Sequence, residues 1–393
     1  WRPIALQWGG QRFFGAPAAE GDSSFPFALA TSLSTICREL SVEIIRGKDI
    51  ALPEYWGEVG HFTIGEVACD LISFNSTTLK NLFRNNRRNI GFDDIAITSG
   101  AQITGLNPSS FVPLADVPDD VWKIGGVGVK RTPDNPTHYA DMDEKGADGK
   151  TLFEKCANPA KIKPSVWRAH YESLGTQEKY QGSLPFRVKQ IFETMVHHVS
   201  HGEATKYVCA AGILAHYDGD ACQPLHGSRL HDAQGVHSPY ETVMLNLNRG
   251  TNGVVAKIRA ALVGHTADSN ITTGAEAARR TVEMMRHIRN NILSPEDILE
   301  VWSDVRHAGP GNGPDYHEMC QKLGTQTGKC MAEGALLLAS LWQSAWAVGN
   351  GNQHIHTSAT IPYPDLRQLF KPNGTPGHGV QFLPSLYLSE YPD

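Results

Sequence analysis

The residues with the clearest chemical potential lie between positions 216 and 241, where histidines and carboxylates recur at short spacing. His216 and Asp220 are four residues apart, and His237 and Glu241 repeat that spacing, with His226 between the two pairs. On a helix, such a pair projects from one face about one turn apart. A single pair is more often a salt bridge on a helix surface, but two pairs with a histidine between them favour a metal. Imidazole and carboxylate suit zinc, and three protein ligands with an open position are typical of a catalytic site.

Two histidines further upstream are weaker candidates. His138 begins the segment HYADMD in an Asp-rich stretch, and His61 follows Trp56 at the start of a helical pattern. Each alone is as typical of a turn or a helix terminus as of a metal site. The tract from His197 to His201 holds three histidines, and we interpret it as helix surface because adjacent residues on a helix point in different directions.

Helical periodicity dominates the elements that must position these residues. Runs of alternating β-branched residues are scarce, so the sequence predicts a mainly α-helical domain. The predicted helices cover residues 27–45, 61–74, 186–198, 203–217, 238–247, 273–292, 294–305 and 331–348. The last of these contains Glu333 and Gln343, which favours a buried helix over a membrane span. Residues 99–150 are predicted to form a long loop, and residues 349–393, rich in Pro and Gly, an extended tail.

The composition is that of an ordinary globular protein. Hydrophobic residues make up 40% of the 393 residues and charged residues 19%, which supplies ample material for a core. The formal net charge of -6 argues against nucleic-acid binding by long-range attraction, but bound metal ions would supply positive charge locally. None of the seven cysteines forms a CxxC pair, which argues against a structural zinc ribbon. Cys320 and Cys330 are close enough in sequence to suggest a disulfide.

The segment HYDGDACQPLHGSRLHDAQGVHSPYE, residues 216–241, resembles the core of the zinc-dependent phospholipases C. That family shares an all-helical fold and a three-zinc site with the S1/P1 nucleases, and its ligands follow the order Trp, His, Asp, His, HxxxD, His, HxxxE or HxxxD. The resemblance covers residues 56–350 in ligand order and is specific around 56–66, 138–143 and 216–241. It implies a single all-α catalytic domain over residues 1–350, with residues 2–55 as an insertion. Residues 351–393 would then be a tail without a domain of its own.

Carried over position by position, the resemblance divides the ligands among three zinc ions. It implies that Asp220 bridges two zincs beside His216, and that His138 shares a metal with this pair. A further zinc would be held by the three residues His226, His237 and Glu241.

Two of the implied ligands have alternatives in the sequence. An upstream aspartate should complete the site of His138; Asp116, Asp119 and Asp120 are all candidates, and Asp116 is favoured because Leu-Ala-Asp most resembles the family's pattern. The family's N-terminal Trp binds zinc through its α-amino nitrogen and carbonyl oxygen. Trp1 fits that role and is favoured as the partner of His61, whereas Trp56 matches the nuclease spacing to His61 but has no free amine unless the chain is cut before it.

The resemblance implies hydrolysis of phosphodiesters by metal-activated water. Zinc lowers the pKa of bound water toward ~7 and neutralises charge on phosphate oxygens, and Asp116 is the residue predicted to orient or deprotonate that water. The HxxxE pair, the short gap from His226 to His237 and the HYADMD segment favour a phospholipase C acting on phospholipid at a membrane surface. The spacing from Trp56 to His61 favours the alternative, an S1/P1-type nuclease of single-stranded nucleic acid. A binding protein with structural zinc was also considered, but such sites prefer cysteine ligands.

The start of the chain bears on where the protein acts. It begins with Trp1 instead of Met, which suggests that a leader has been removed. We therefore expect a secreted or periplasmic protein, and a monomer.

Overall fold

The computed structural model describes residues 57–92, 111–123, 133–247, 253–371 and 382–393. Within these ranges the regular structure is helical and no strand occurs, which confirms the predicted all-α class. The helix predicted over 27–45 lies outside the described residues, as do Trp1 and Trp56.

Helices of eight or more residues make up most of the described structure. They are α1 (Gly57–Asp70), α2 (Thr77–Ile90), α3 (Pro164–Ser173), α4 (Leu184–Ser200), α5 (Ala204–Cys222), α6 (Val254–Ala261), α7 (Gly274–Asn291), α8 (Pro295–Val305), α9 (Tyr316–Val348) and α10 (Tyr363–Phe370). Shorter α-helices lie at Leu152–Lys155, Met244–Leu247 and Gly351–His354, and π-helices at Pro118–Lys123 and Pro239–Val243. Turns of 3-10 helix lie at Leu114–Asp116, Asn135–His138, Pro159–Lys161, Glu178–Tyr180, Pro224–Gly227, Ala233–Gly235, Pro310–Asn312 and Leu388–Glu390.

Helix α5 is the central element of the fold. All of its residues except Thr205 and Lys206 are buried, and it packs against α1, α2, α4, α7, α9 and α10. Two of its glycines allow close approach of other elements. A Cβ on Gly212 would lie 2.5 Å from the side chain of Leu114, and a Cβ on Gly219 would lie 2.6 Å from His61 Nδ1. The helix ends at Cys222, two residues before Pro224 and five residues beyond the end predicted at 217, because the chain stays helical until the proline stops it.

Helix α9 extends the helix predicted over 331–348 toward the N-terminus, starting at Tyr316. Its C-terminal half is buried: Trp342 is fully enclosed and its indole N–H donates to Ala211 O at 2.9 Å. This burial agrees with the prediction of a core helix, and no helix within the described ranges has the length and apolar character needed to cross a membrane. Cys320 and Cys330 both lie on α9 and both thiols are free. The suggested disulfide is therefore wrong, because ten residues of helix separate its two ends by about 15 Å.

The C-terminal residues pack against the helical body. Beyond the short α10, residues 382–393 lie against α4 and are held there by Arg187, whose side chain is fully buried. The guanidinium donates to Leu383 O at 3.1 Å and Pro384 O at 2.8 Å, and lies 4.8 Å from the ring centre of Tyr217. The segment predicted as an extended tail is thus anchored by a buried cation.

Replacing Arg187 by Met tests this anchor, because Met keeps an apolar stem but removes four hydrogen bonds, to Gln190, Leu383, Pro384 and Tyr217. We expect the free energy of unfolding, measured by urea titration, to fall by about 3 kcal/mol, since hydrogen bonds of charged groups contribute about 1.5–3 kcal/mol. The control is Arg168→Met, which removes an exposed pair with Glu172 and should change stability by less than about 1 kcal/mol. Equal effects of the two changes would contradict the anchoring role.

Candidate metal centre

Eight ionisable side chains from separate segments converge in one buried cluster, and each is at most 5% exposed. They are His61 from α1, Asp119 from the first π-helix, His138 and His226 from 3-10 turns, His216 and Asp220 from α5, and His237 and Glu241 around the second π-helix. Seven of these are ligands that the sequence predicts. The structure therefore brings together residues that are up to 180 positions apart in the chain.

The first group of converging atoms belongs to His226, His237 and Glu241. The Nε2 atoms of the two histidines are 3.0 Å apart, and they lie 3.4 Å and 3.1 Å from Glu241 Oε2. A single proton can form a hydrogen bond between only two of these three atoms, whereas a metal cation can be bound by all three at once. Ligand atoms around a tetrahedral zinc are about 3.3 Å apart. The donor set and its spacing therefore fit zinc.

A second group is formed by His138, His216 and Asp220. His138 Nδ1 lies 3.0 Å from both His216 Nε2 and Asp220 Oδ2, and the latter two atoms are 3.4 Å apart. Asp119 Oδ1 adds a fourth atom, 3.3 Å from His216 Nε2 and 3.6 Å from His138 Nδ1. The three atoms of His138, His216 and Asp220 are spaced like ligands of a tetrahedral zinc, while Asp119 groups with His216 and His61.

His61 faces Asp220 Oδ1, the carboxylate oxygen that is not in this second group. Its Nε2 is 3.6 Å from Asp220 Oδ1, and its ring stacks on His216 with centroids 4.0 Å apart. Both ring nitrogens of His61 are buried without a hydrogen bond in the described structure. Asp220 thus presents one oxygen to each side, an arrangement suited to the bridging role that the sequence predicts. Trp1, the predicted partner of His61, lies outside the described residues.

The upstream aspartate in the cluster is Asp119, one of the three alternatives, and not the favoured Asp116. Asp116 ends the 3-10 turn Leu114–Asp116, and Asp119 follows in the π-helix Pro118–Lys123. The carboxylate atoms that group with His61 and His216 are those of Asp119. Local similarity around Asp116 could not show this, because the turn between the two residues sets which carboxylate faces the histidines.

Hydrogen bonds behind the cluster orient the histidine rings. His216 Nδ1 donates to Ala115 O and His226 Nδ1 to His138 O, both at 2.8 Å, which leaves the Nε2 atoms facing the cluster. His138 is turned the other way, with Nε2 3.0 Å from Asp134 Oδ2 and Nδ1 toward the cluster. Such outer partners fix the tautomer of a metal-binding histidine. Sequence reasoning missed Asp134, although its i,i+4 spacing to His138 repeats the pattern used for the ligands.

Burial governs the protonation of the cluster. It lowers the pKa of His61 to about 3 and the pKa of His216 well below its ordinary value, so these rings are neutral. It raises the pKa of Asp220 to about 8 and that of Asp119 well above its usual range. Burial alone would also raise the pKa of Glu241, but the adjacent His237 and His226 bring it to about 2. A bound cation would offset the cost of burying these carboxylates.

Residues 197–203 also place histidine and carboxylate atoms close together. His198 Nδ1 lies 2.7 Å from Glu203 Oε2, and Lys206 pairs with the other oxygen of Glu203. The tract is therefore only partly surface: His197 is exposed, whereas His198 is buried and paired with Glu203 through Nδ1.

Comparison with known proteins gives one informative similarity. A protein of Bradyrhizobium tropiciagri, named as a probable serine protease, is 32% identical in an alignment that covers the whole chain and 55% of that protein. The chain thus spans about half the length of the relative that it matches. No family model matches the chain.

This similarity overturns the predicted phosphodiester hydrolysis. A phospholipase C and a single-strand nuclease both cleave phosphodiesters, whereas the relative's name denotes proteolysis. Both predicted activities are therefore wrong. The error has a physical cause: the order of His and carboxylate ligands specifies a metal site, but metal-activated water attacks amides as readily in peptidases as it attacks phosphate esters in nucleases.

The buried carboxylates predict how stability of the metal-free protein depends on pH. The pKa of Asp220 rises from 3.8 unfolded to about 8 folded, so the folded state holds the extra proton and its stability falls as pH rises toward 8. Above pH 6.5 the buried His61, His138 and His216, whose pKa values are lowered, no longer oppose this trend. We expect the chelator-treated protein to lose about 1 to 2 kcal/mol between pH 6.5 and 8 in urea titrations. Asp220→Asn should flatten this slope, and an unchanged slope would contradict the assignment.

Proposed function

We propose that this chain is a zinc-dependent hydrolase that cleaves peptide bonds with water activated in the buried cluster. One observation carries the proposal: two sets of ligand atoms, around His226 and around His138, converge at the spacing of tetrahedral zinc. The relative's name supports a hydrolase, and it supports the peptide bond as the bond that is cleaved.

The described residues divide among the ions as follows in this proposal. His226, His237 and Glu241 would hold one zinc, and His138, His216 and Asp220 a second, with Asp119 beside it. His61 and Asp220 would contribute to a third. Bound zinc supplies a water of lowered pKa and polarises a carbonyl oxygen.

Side chains of the cluster would orient the attacking water and the metal ligands. In this proposal Asp119 takes the role first assigned to Asp116. Its carboxylate lies beside His138 and His216 and is nearly fully buried, so it is placed to orient the attacking water or accept its proton. Gln223 donates to Glu241 Oε2 at 2.8 Å and keeps that carboxylate turned toward the histidines. The buried walls exclude bulk water from the group.

A serine nucleophile has less support than metal in the described part of the chain. Such a mechanism needs a serine hydroxyl bonded to a histidine that a carboxylate orients. Over the described ranges, a serine hydroxyl lies within hydrogen-bond distance of a histidine ring at Ser200, 3.1 Å from His201 Nδ1 on the surface. His201 Nδ1 also lies 2.7 Å from the backbone oxygen of His197, so no carboxylate orients this ring in the described structure. Secretion or a periplasmic location, and a monomeric state, stay predictions.

A protease assay with metal control tests the proposal. The protein is stripped with a chelator, reloaded with zinc, and assayed on a quenched-fluorescent casein and peptide library. We expect cleavage to be lost on stripping, restored by zinc, and unaffected by a sulfonyl fluoride that modifies active serines. His237→Ala and Glu241→Gln should lower the rate by about 100-fold or more, since removal of a ligand or its orienting partner weakens metal sites by at least 10–100-fold.

The matched control is Glu203→Gln, which alters a His-bound carboxylate away from the cluster and should leave the rate unchanged. Cleavage that survives metal removal but stops with the sulfonyl fluoride would sink the metal mechanism. A zinc-loaded protein that cleaves no peptide, but cleaves another class of ester, would contradict the proposed substrate.

A further inference from the structure

The geometry points to Ser385, in the C-terminal segment, as a positioning residue for the metal ligand His138. We propose that Ser385 acts through Asp134, which lies between the two, and so sets the metal affinity of the cluster. The inference rests on the metal centre proposed above. It extends that centre to a part of the chain that the ligand pattern does not reach.

The first link is between Asp134 and His138. Asp134 Oδ2 lies 3.0 Å from His138 Nε2, and His138 Nδ1 faces His216 and Asp220 at 3.0 Å from each. A carboxylate bonded to Nε2 selects the tautomer with the proton on that nitrogen, which leaves a lone pair on Nδ1 for a metal. Asp134 therefore fixes both the ring orientation and the protonation that His138 needs as a ligand.

The second link is between Ser385 and Asp134. The Ser385 hydroxyl donates to Asp134 Oδ1, the oxygen that is not bonded to His138. Tyr217 lies near the same oxygen, with its hydroxyl 3.4 Å away. Asp134 is 1% exposed and Ser385 9% exposed, so water does not readily replace the serine hydroxyl. Losing one donor to a buried carboxylate leaves it under-bonded and freer to rotate away from His138.

The third link holds Ser385 itself in place. The two residues before it, Leu383 and Pro384, offer their carbonyl oxygens to the buried Arg187. Leu383 has a φ of 52°, in the left-handed region that non-glycine residues rarely adopt. The surroundings thus impose a specific turn on the backbone, and this turn directs Ser385 inward toward Asp134.

Metal binding separates this positioning role from a merely structural one. Zinc affinity is measured by competition with a chromophoric chelator, and cobalt substitution gives an absorption spectrum that reports ligand geometry. We expect Ser385→Ala to weaken one bound ion by about 10–100-fold and to alter the cobalt spectrum, as changes behind a ligating histidine do. Ser385→Thr keeps the hydroxyl and should restore both readouts.

Ser389→Ala is the matched control. Ser389 lies four residues further along the same segment, is exposed, and bonds to Glu178 away from the cluster. It should bind zinc as the unaltered protein does. Asp134→Asn, which keeps the shape of the side chain, provides a second variant, and it should weaken the same ion even if Ser385→Ala folds poorly.

The outcomes distinguish the two levels of the proposal. If the unaltered protein binds no zinc, the metal centre itself is wrong. If it binds zinc and a folded Ser385→Ala changes neither the affinity nor the cobalt spectrum, the metal centre stands and the role of Ser385 is refuted, whatever Asp134→Asn does. Equal weakening by Ser385→Thr and Ser385→Ala would also refute it, because the hydroxyl would then not be the active group.

Discussion

The structure depends on the burial of Asp220, a carboxylate enclosed at the centre of a helical protein. Its two oxygens face different partners: Oδ2 lies 3.0 Å from His138, while Oδ1 lies 3.3 Å from His226 and 3.6 Å from His61. A buried carboxylate without compensation costs several kcal/mol. Neutral imidazoles offer at most one proton each, so they compensate this charge only in part. Cations shared between the lone pairs would compensate the rest, which supports the proposed metal centre over a salt-bridge network.

The packing of the helices explains how the other side chains of the cluster reach that carboxylate. Helix α5 carries Asp220 and is buried on all sides, so every other ligand must come from an element packed against it. The segments around His138 and His226 brace each other: Ala140 N donates to His226 O at 2.8 Å, and His226 Nδ1 donates to His138 O at the same distance. Gly219 leaves space for the ring of His61 beside the helix. Ligand positions are therefore set by backbone contacts as much as by side chains.

These contacts explain what the sequence could predict. The pairs His216/Asp220 and His237/Glu241 could be predicted from the sequence, because residues four apart on a helix lie on the same face. The sequence left Asp116, Asp119 and Asp120 as alternatives, because the backbone turn that brings Asp119 to the histidines cannot be read from residue types. The hydrogen bond between Asp134 and Ser385 could not be predicted, since the two residues are 251 positions apart and come together only in the folded chain. Helix α2 was missed for another reason: its many Asn and Arg residues masked the helical spacing of Leu79, Leu82, Phe83 and Ile90, which the sequence does contain.

The same distinction between local and tertiary information applies to function and to domain limits. Ligand order specifies which atoms meet a metal, but the bond to be cleaved depends on how a substrate lies against the cluster, which spacing along the chain does not encode. The limit placed at residue 350 was likewise drawn from ligand order. Physically, Pro53–Asp393 forms one compact unit. Within it, the buried Arg187 holds the backbone at residues 383 and 384, and the next residue reaches Asp134 behind a ligand. These hydrogen bonds show that residues 383–385 pack into the helical body, whatever the composition of the segment suggests.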